Sequence, residues 1–277
     1  MKRFLIFVAI AFSALTAAAQ PVAKTSTKAN LTILTDENML LPLAPLARLY
    51  ASQSSTPLTI VVKNAETAEK QIEQGLEAHV IITANTGLMD RLIEQGLTDV
   101  SSRRTLARTQ LALVTTRDLS QQMEIAQRIS FASILAATPN MPVFTNDPAT
   151  LEGSLAKALL TGHSFSEMLS PRLSAKATHE DVVTALRDED SLGLILAADA
   201  IAEPDVRVLS LLPESVSAPV SFEAAVLGSE SMNEARHFTN FLLTRSAQQV
   251  FKDFGYQPLY ADRLQLRERP ACTRGDR

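Results

Sequence analysis

Short apolar runs alternate with amphipathic segments along the first third of the chain. Leu31–Leu34, Leu58–Val62 and His79–Ala84 are apolar runs rich in β-branched residues, which predicts buried strands. Apolar residues at helical spacing predict helices over Leu40–Ala51, Thr67–Gln74 and Leu88–Gln95. Because strands and helices alternate, we expect an α/β unit with a parallel sheet and helices on its faces.

A second alternation occupies the rest of the chain. The predicted strands are Pro142–Thr145, Gly193–Leu196, Val206–Leu212 and Val220–Leu227. The predicted helices are Ile125–Leu135, Leu151–Leu160, Val182–Arg187, Glu234–Leu243 and Ala247–Phe254. Leu111–Thr115 is predicted to be a strand that leaves the first unit. The pattern therefore predicts a second α/β unit.

The N-terminus has the three parts of a secretory signal peptide. Lys2 and Arg3 form a charged region, and Phe4–Leu15 is an apolar segment too short to span a bilayer. An Ala-x-Ala site ends at Ala19, directly before Gln20. We expect residues 1–19 to be a cleaved signal peptide and the mature chain to be periplasmic, with an uncleaved anchor as the alternative.

Composition excludes several classes of function. The 277 residues carry a formal net charge of −4 with acids and bases interspersed, which is unlike a nucleic-acid-binding surface. Tryptophan is absent and aromatics make up 5%, which disfavours a carbohydrate receptor because sugar rings usually stack on aromatic side chains. Cys272 is the only cysteine and lies in the polar tail 263–277, so no disulfide framework is expected.

The motifs for catalysis or metal binding are incomplete. Ser154 and Lys157 match the S-x-x-K pattern of penicillin-recognising serine enzymes, but the companion S-D-N and K-T-G motifs are absent. Both residues also fit the surface of a predicted helix. The four histidines are scattered, without H-E-x-x-H spacing or paired cysteines. We therefore expect no enzyme and no cofactor or resident metal.

Several longer segments are more specific than the alternation itself. They are KQIEQG, AHVIITAN, LMDRLIEQGL, RRTLARTQLALV, NDPATLEGSLAKALL, SLGLILAADAI and FTNFLLTRSAQQVFKDFGYQPL, in that order. Together they resemble the periplasmic molybdate-binding protein family, the solute receptors of molybdate ABC transporters. The resemblance runs from about Leu31 to Leu259.

The resemblance implies a two-lobed α/β fold of the type II periplasmic-binding class. Lobe 1 would consist of residues 30–114 and 218–262, and lobe 2 of residues 115–217. The chain would cross between the lobes near Ala112–Arg117 and again near Ser215–Phe222, which leaves a cleft that can close by hinge motion. The implied partners are a molybdate- or tungstate-like oxyanion in the cleft and an ABC permease in the inner membrane.

The resemblance also implies where the ligand binds. In the family, neutral hydroxyls and backbone N–H groups at helix starts hold a tetrahedral dianion. The matching positions here are Asn38, Ala65, Gly153, Ser154, Val182 and Leu196. Asn38 and Ala65 replace serines, and Leu196 replaces a tyrosine. Gly153 and Ser154 would supply backbone donors, and Val182 lies at a helix start.

Acidic residues adjoin these positions. One carboxylate about 4 Å from a unit charge costs roughly 4 kcal/mol at an effective dielectric of 20, and a dianion feels about twice that. The acids are Asp36, Glu37 and Glu66. Alternatively, they face solvent as ordinary helix-dipole partners, or Lys63 neutralises one of them. Because two side-chain donors are also lost, we expect molybdate to bind weakly or not at all.

Two functions follow from these patterns. The first is a periplasmic solute-binding protein of an ABC transporter, similar to molybdate and tungstate receptors, whose ligand is either one of these oxyanions or a different solute. The alternative is a sensor or interaction module that derives from such a receptor and no longer transports. Donor groups that converge between the lobes would favour the receptor, whereas an apolar cleft would favour the sensor.

Overall fold

The computed structural model describes residues 30–54, 56–122, 130–161, 165–228 and 232–259. The predicted signal peptide, residues 1–19, and the polar tail, residues 263–277, lie outside the described residues. Part of the predicted helix Ile125–Leu135 also lies outside them. Within the described ranges, no helix combines the length and the apolar character needed to span a bilayer.

The strands form two separate sheets. In chain order they are β1 (Leu31–Thr35), β2 (Leu58–Val62), β3 (Val80–Thr83), β4 (Arg104–Thr109), β5 (Leu111–Thr116), β6 (Val143–Asn146), β7 (Leu173–Lys176), β8 (Leu192–Leu196), β9 (Val206–Leu211), β10 (Val220–Val226) and β11 (Gln257–Pro258). One sheet has the order β11-β4-β10-β3-β1-β2, and the other has the order β7-β6-β8-β5-β9.

Helices follow most of the strands. They are α1 (Leu40–Ser54), α2 (Ala65–Glu73), α3 (Thr86–Glu94), α4 (Arg117–Gln122), α5 (Phe131–Ala137), α6 (Leu151–Leu159), α7 (Ser166–Leu169), α8 (His179–Asp188), α9 (Ala197–Ala202), α10 (Met232–Leu242) and α11 (Arg245–Asp253). Side chains cap several helices locally: Asn64 accepts from the Thr67 N–H and Asn85 from the Leu88 N–H.

Each sheet contains three neighbouring parallel strands at one side. In the first sheet β1 lies between β2 and β3, with Ile33 paired to Ile60 and to Val80. In the second sheet β6 lies between β7 and β8. Because parallel strands place their carboxyl ends at one edge, the loops after β1, β3, β6 and β8 are available for ligand binding.

The chain passes between the sheets at two places. The first passage is at Gln110, between β4 and β5, and the second lies within residues 212–219, between β9 and β10. The strand Leu111–Thr116 therefore belongs to the second sheet, where it pairs antiparallel with β8 and β9, and it does not end the first lobe. Its residues 111–115 are all buried, because helices cover both faces of the second sheet.

A continuous apolar core extends across both sheets. It includes Ile33 and Phe222 of the first sheet and Leu194 and Leu196 of the second. Tyr50 of α1 packs edge-on against Phe238 of α10, with ring centroids 5.1 Å apart. The two lobes are therefore in apolar contact. Polar residues in the loops after β1, β6 and β8 also contact one another between the lobes.

Candidate functional site

Asn38 of lobe 1 reaches across to lobe 2. It lies in a short 3-10 turn, Glu37–Met39, directly after β1. The buried Met39 anchors the turn, and Asp36 fixes it to the loop after β3 by accepting from the Thr83 hydroxyl and the Ala84 N–H. Asn38 Nδ2 donates to Asp199 Oδ2 at 3.0 Å and lies 3.4 Å from Glu152 Oε1.

Glu152 is the most buried acid at this junction. It lies in the first turn of α6, which Thr150 caps by accepting from the Gly153 N–H. Its side chain is only 3% exposed, and Asn146 Nδ2 donates to Glu152 Oε2 at 2.8 Å. Amides from both lobes thus hold the Glu152 carboxyl group, Asn38 from lobe 1 and Asn146 from the end of β6.

Asp199 lies against Glu152. It is in the first turn of α9, and its carboxyl group and that of Glu152 approach the same Asn38 amide. Burial raises the pKa of Asp199 well above its usual value, and Glu152 and Glu37 raise it further, while the Asn38 hydrogen bond opposes the shift. A raised pKa favours the protonated acid, which can donate to Glu152 and thereby lowers the repulsion between the pair.

Tyr256 fixes the Asn38 backbone. Its hydroxyl donates to the Asn38 carbonyl oxygen at 2.5 Å, and its ring packs edge-on against Phe222 and Phe251. Burial raises the pKa of Tyr256, and the charges of Asp199 and Glu152 add to the shift. The hydroxyl therefore stays protonated and donating at neutral pH.

The junction is electrostatically negative. Asp36, Glu37, Glu152 and Asp199 lie at or beside it. Within the described ranges, no lysine or arginine side chain hydrogen-bonds to Asn38, Glu152 or Asp199. The same part of the chain contains no group of three or more His, Cys, Asp or Glu residues arranged to hold a metal ion.

Comparison with known proteins identifies the family. The sequence model described as bacterial extracellular solute-binding protein matches residues 31–257. The chain belongs to this family. Since the match covers most of the chain, both lobes and the polar junction between them belong to a solute-binding protein.

Individual relatives agree with this assignment. The chain is 26% identical to the molybdate-binding protein ModA of Escherichia coli (strain K12) over 217 residues, which is 76% of this chain and 82% of the relative. A substrate-binding domain from Clostridium difficile, attributed to a molybdenum ABC transporter, is similar in fold with a TM-score of 0.73 and 21% identity, covering 83% of this chain and 99% of that domain. The predicted resemblance and the two-lobed α/β fold are confirmed.

A periplasmic molybdate-binding protein of Azotobacter vinelandii has the same fold. The TM-score is 0.63 at 19% identity, and the match covers 82% of this chain and 99% of the other. Sequence identity this low shows the common fold alone, so the ligand of this solute-binding protein depends on its own side chains.

The structure places the predicted site residues in different surroundings. Asn38 is the one that bonds across it. Ala65 is half-buried at the start of α2 in lobe 1. The adjacent Glu66 is exposed and paired with Lys70 at 2.7 Å, as the solvent-facing interpretation of that acid expects.

The backbone donors predicted in lobe 2 already have partners in this solute-binding protein. The Gly153 N–H donates to the Thr150 hydroxyl and the Ser154 N–H to the Thr150 carbonyl. The Ser154 hydroxyl is bonded to the Leu151 carbonyl.

The remaining two predicted residues are packed in apolar surroundings. The Val182 N–H donates within its own helix to the Thr178 carbonyl, and the side chain is fully buried. Leu196 is also fully buried, in the core that joins the two sheets. Neither side chain can donate a hydrogen bond to a ligand.

The sequence patterns missed Glu152, Asn146, Asp199 and Tyr256 as site residues. Asn146 ends the parallel strand β6, and Glu152 and Asp199 follow β6 and β8 within a few residues, which is a usable signal, since ligands bind at the carboxyl ends of such strands. Tyr256 offers no such signal, because it comes after α11 and reaches Asn38 only through the fold.

Proposed function

We propose that this protein is the periplasmic solute-binding component of an ABC transporter of the molybdate and tungstate type. It would capture a small solute between its lobes and deliver it to a permease in the inner membrane. The observation that carries the proposal is the meeting of strand-end loops from both sheets at one polar point, where Asn38 bonds to Asp199 and Glu152 across the cleft.

The polar character of this junction favours a receptor over a sensor or interaction module. An apolar cleft would leave nothing to orient a solute, whereas Asn38 and Asn146 are oriented amide donors and Tyr256 holds one of them in place. Amide donors can bind an oxyanion without a counter-charge.

The same junction lowers the expected affinity for a dianion. An anion between Asn38 and the start of α6 would meet the carboxyl groups of Glu152 and Asp199. One unit charge about 4 Å from another costs roughly 4 kcal/mol at an effective dielectric of 20, which is about half the free energy of micromolar binding. We therefore propose that molybdate and tungstate bind weakly at neutral pH.

Export is part of the same proposal. The family is extracellular, and residues 1–19 have the sequence of a cleaved signal peptide. The mature protein would begin at Gln20 and work in the periplasm beside its permease.

A thermal-shift panel tests the proposal. The mature chain is heated with molybdate, tungstate, sulfate, phosphate, divalent metal ions and small organic solutes, each over a range of concentrations. A ligand that binds only the folded state at 100 times its Kd stabilises it by about 2.7 kcal/mol. We expect at least one solute to raise the Tm and calorimetry to give one site per chain. A folded chain that no solute stabilises at millimolar concentration would contradict the receptor function.

A further inference from the structure

The Glu152 side chain lies between the two lobes. Its Oε1 faces the Asn38 amide of lobe 1 at 3.4 Å, and its Oε2 accepts from the Asn146 amide of lobe 2 at 2.8 Å. With 3% of its surface exposed, the residue is enclosed by the two lobes.

A carboxylate and an inorganic oxyanion need the same partners. Both present negatively charged oxygens that accept hydrogen bonds from neutral N–H and O–H groups. Glu152 takes the Asn146 amide and shares the Asn38 amide with Asp199. A bound oxyanion and the Glu152 carboxyl group therefore compete for the same donors.

We propose that Glu152 is a specificity-determining residue that acts as a built-in anion: it closes the cleft in place of an external oxyanion and excludes such anions from it. This inference rests on the proposed receptor function and deepens it. A solute must displace the Glu152 carboxyl group from Asn38 and Asn146 before the cleft can hold it.

The surroundings of Asn146 support this role. Asn146 is 4% exposed, and its Oδ1 has no hydrogen-bond partner among the described residues. Its amide is thus oriented by Glu152 alone. A buried polar atom without a partner is uncommon in folded proteins, so the unsatisfied Asn146 Oδ1 could accept a hydrogen bond if Glu152 moved away.

The local backbone places Glu152 where it can act. Gly153 lies against the loop after β6, and a Cβ at this position would come within 2.1 Å of the Asp147 carbonyl oxygen and 2.3 Å of the Asn146 carbonyl oxygen. The first turn of α6 is therefore pressed onto the end of β6, which brings the Glu152 side chain beside the Asn146 amide.

The test compares the wild type with three variants of the mature chain. Glu152→Ala removes the carboxyl group, which frees the Asn146 amide and leaves Asn38 bonded to Asp199 alone. Glu152→Gln removes the charge but keeps a side chain of the same shape between the lobes. Glu180→Ala is the matched control, since Glu180 is an exposed acid in the first turn of α8 in the same lobe.

Calorimetry at pH 7 with molybdate and with tungstate gives the readout. We expect Glu152→Ala to bind either anion at least 100-fold more tightly than the wild type, which is about 2.8 kcal/mol at 1.4 kcal/mol per factor of ten. Glu152→Gln should gain less affinity for the anions than Glu152→Ala, because the glutamine side chain still fills the cleft. Glu180→Ala should bind as the wild type does.

Three results would overturn the proposal. In the first, Glu152→Ala folds, as shown by a cooperative melt, but binds neither anion more tightly than the control. In the second, Glu152→Gln gains as much affinity for the anions as Glu152→Ala. The charge at position 152 alone would then decide binding, and not the space that the side chain fills. In the third, a metal ion stabilises the wild type and not Glu152→Gln, which would make Glu152 a ligand of a cation.

The same experiment separates this inference from the receptor function. If the wild type binds another solute in the thermal-shift panel while Glu152→Ala gains no affinity for oxyanions, the role of Glu152 is wrong and the receptor function stands. If no solute stabilises any folded variant, the receptor function itself fails.

Discussion

Replacing Tyr256 by phenylalanine removes one hydroxyl oxygen and leaves the aromatic packing intact. The ring lies 5.6 Å from the ring of Phe222 and 6.1 Å from that of Phe251, so no cavity is created. The change deletes the hydrogen bond to the Asn38 carbonyl oxygen at 2.5 Å. Losing one such bond and leaving a buried carbonyl without it costs about 1–2 kcal/mol. At roughly 2–4 °C per kcal/mol, we expect the Tm to fall by roughly 2–8 °C.

Tyr50→Phe is the matched control for this prediction. Tyr50 is buried like Tyr256, but its hydroxyl lies 3.4 Å from the Glu234 carbonyl oxygen, a long and therefore weak hydrogen bond. Differential scanning calorimetry and urea denaturation should show a clearly larger loss for Tyr256→Phe, with an unchanged m value. If both variants lose the same stability, the Tyr256 hydroxyl does not hold the Asn38 turn in place.

Three further predictions test the loop after β6, the acid pair and export. In urea denaturation, Gly153→Ala should lower the free energy of unfolding by about 1–3 kcal/mol or more, because the new Cβ would overlap the backbone after β6. Gly87→Ala is the control, since its Cβ would have only ordinary contacts at 3.4 Å, and it should be neutral or stabilising. Folding raises the pKa of Asp199 above 3.8, so the stabilisation from this group is complete at low pH and is lost as the pH rises through the folded-state pKa. In thermal melts across the pH range, Asp199→Asn should therefore lose less stability than the wild type as the pH rises. The same pH profile for both proteins would refute this prediction. Mass spectrometry of the periplasmic protein should give Gln20 as the first residue, and an intact Met1 on exported protein would contradict cleavage.

Local sequence patterns predicted the apolar strands and the amphipathic helices well, and the strands without a clear apolar pattern poorly. The observed strand Leu58–Val62 and helix His179–Asp188 lie where periodicity placed them, within a few residues. Of the three strands that were not predicted, Gln257–Pro258 has only two residues, and the other two are Arg104–Thr109 and Leu173–Lys176. Both mix charged and polar residues with apolar ones, and Leu173–Lys176 is an edge strand with half-exposed residues, so their stability comes from pairing with neighbouring strands and not from an apolar pattern.

Of the residues that form the candidate site, only Asn38 was predicted from the sequence. Asn38 follows the first strand, and the family resemblance predicted it as a ligand-binding residue. Its partners Glu152, Asp199 and Tyr256 are 114, 161 and 218 residues away along the chain. A contact at such separation depends on how two lobes pack against each other, which local periodicity does not encode.

The sequence by itself determined the alternation of strands and helices, the family and the expectation of a cleft between two lobes, because apolar periodicity, helix caps and motif order act locally along the chain. Only the tertiary structure decided what fills the cleft. It assigned β5 to the second sheet, buried Val182 and Leu196 in apolar surroundings, and placed the Glu152 carboxyl group between amides of both lobes. The physical reason is that a buried charge is tolerated only where distant groups satisfy its oxygens, and those groups come together only when both lobes have folded.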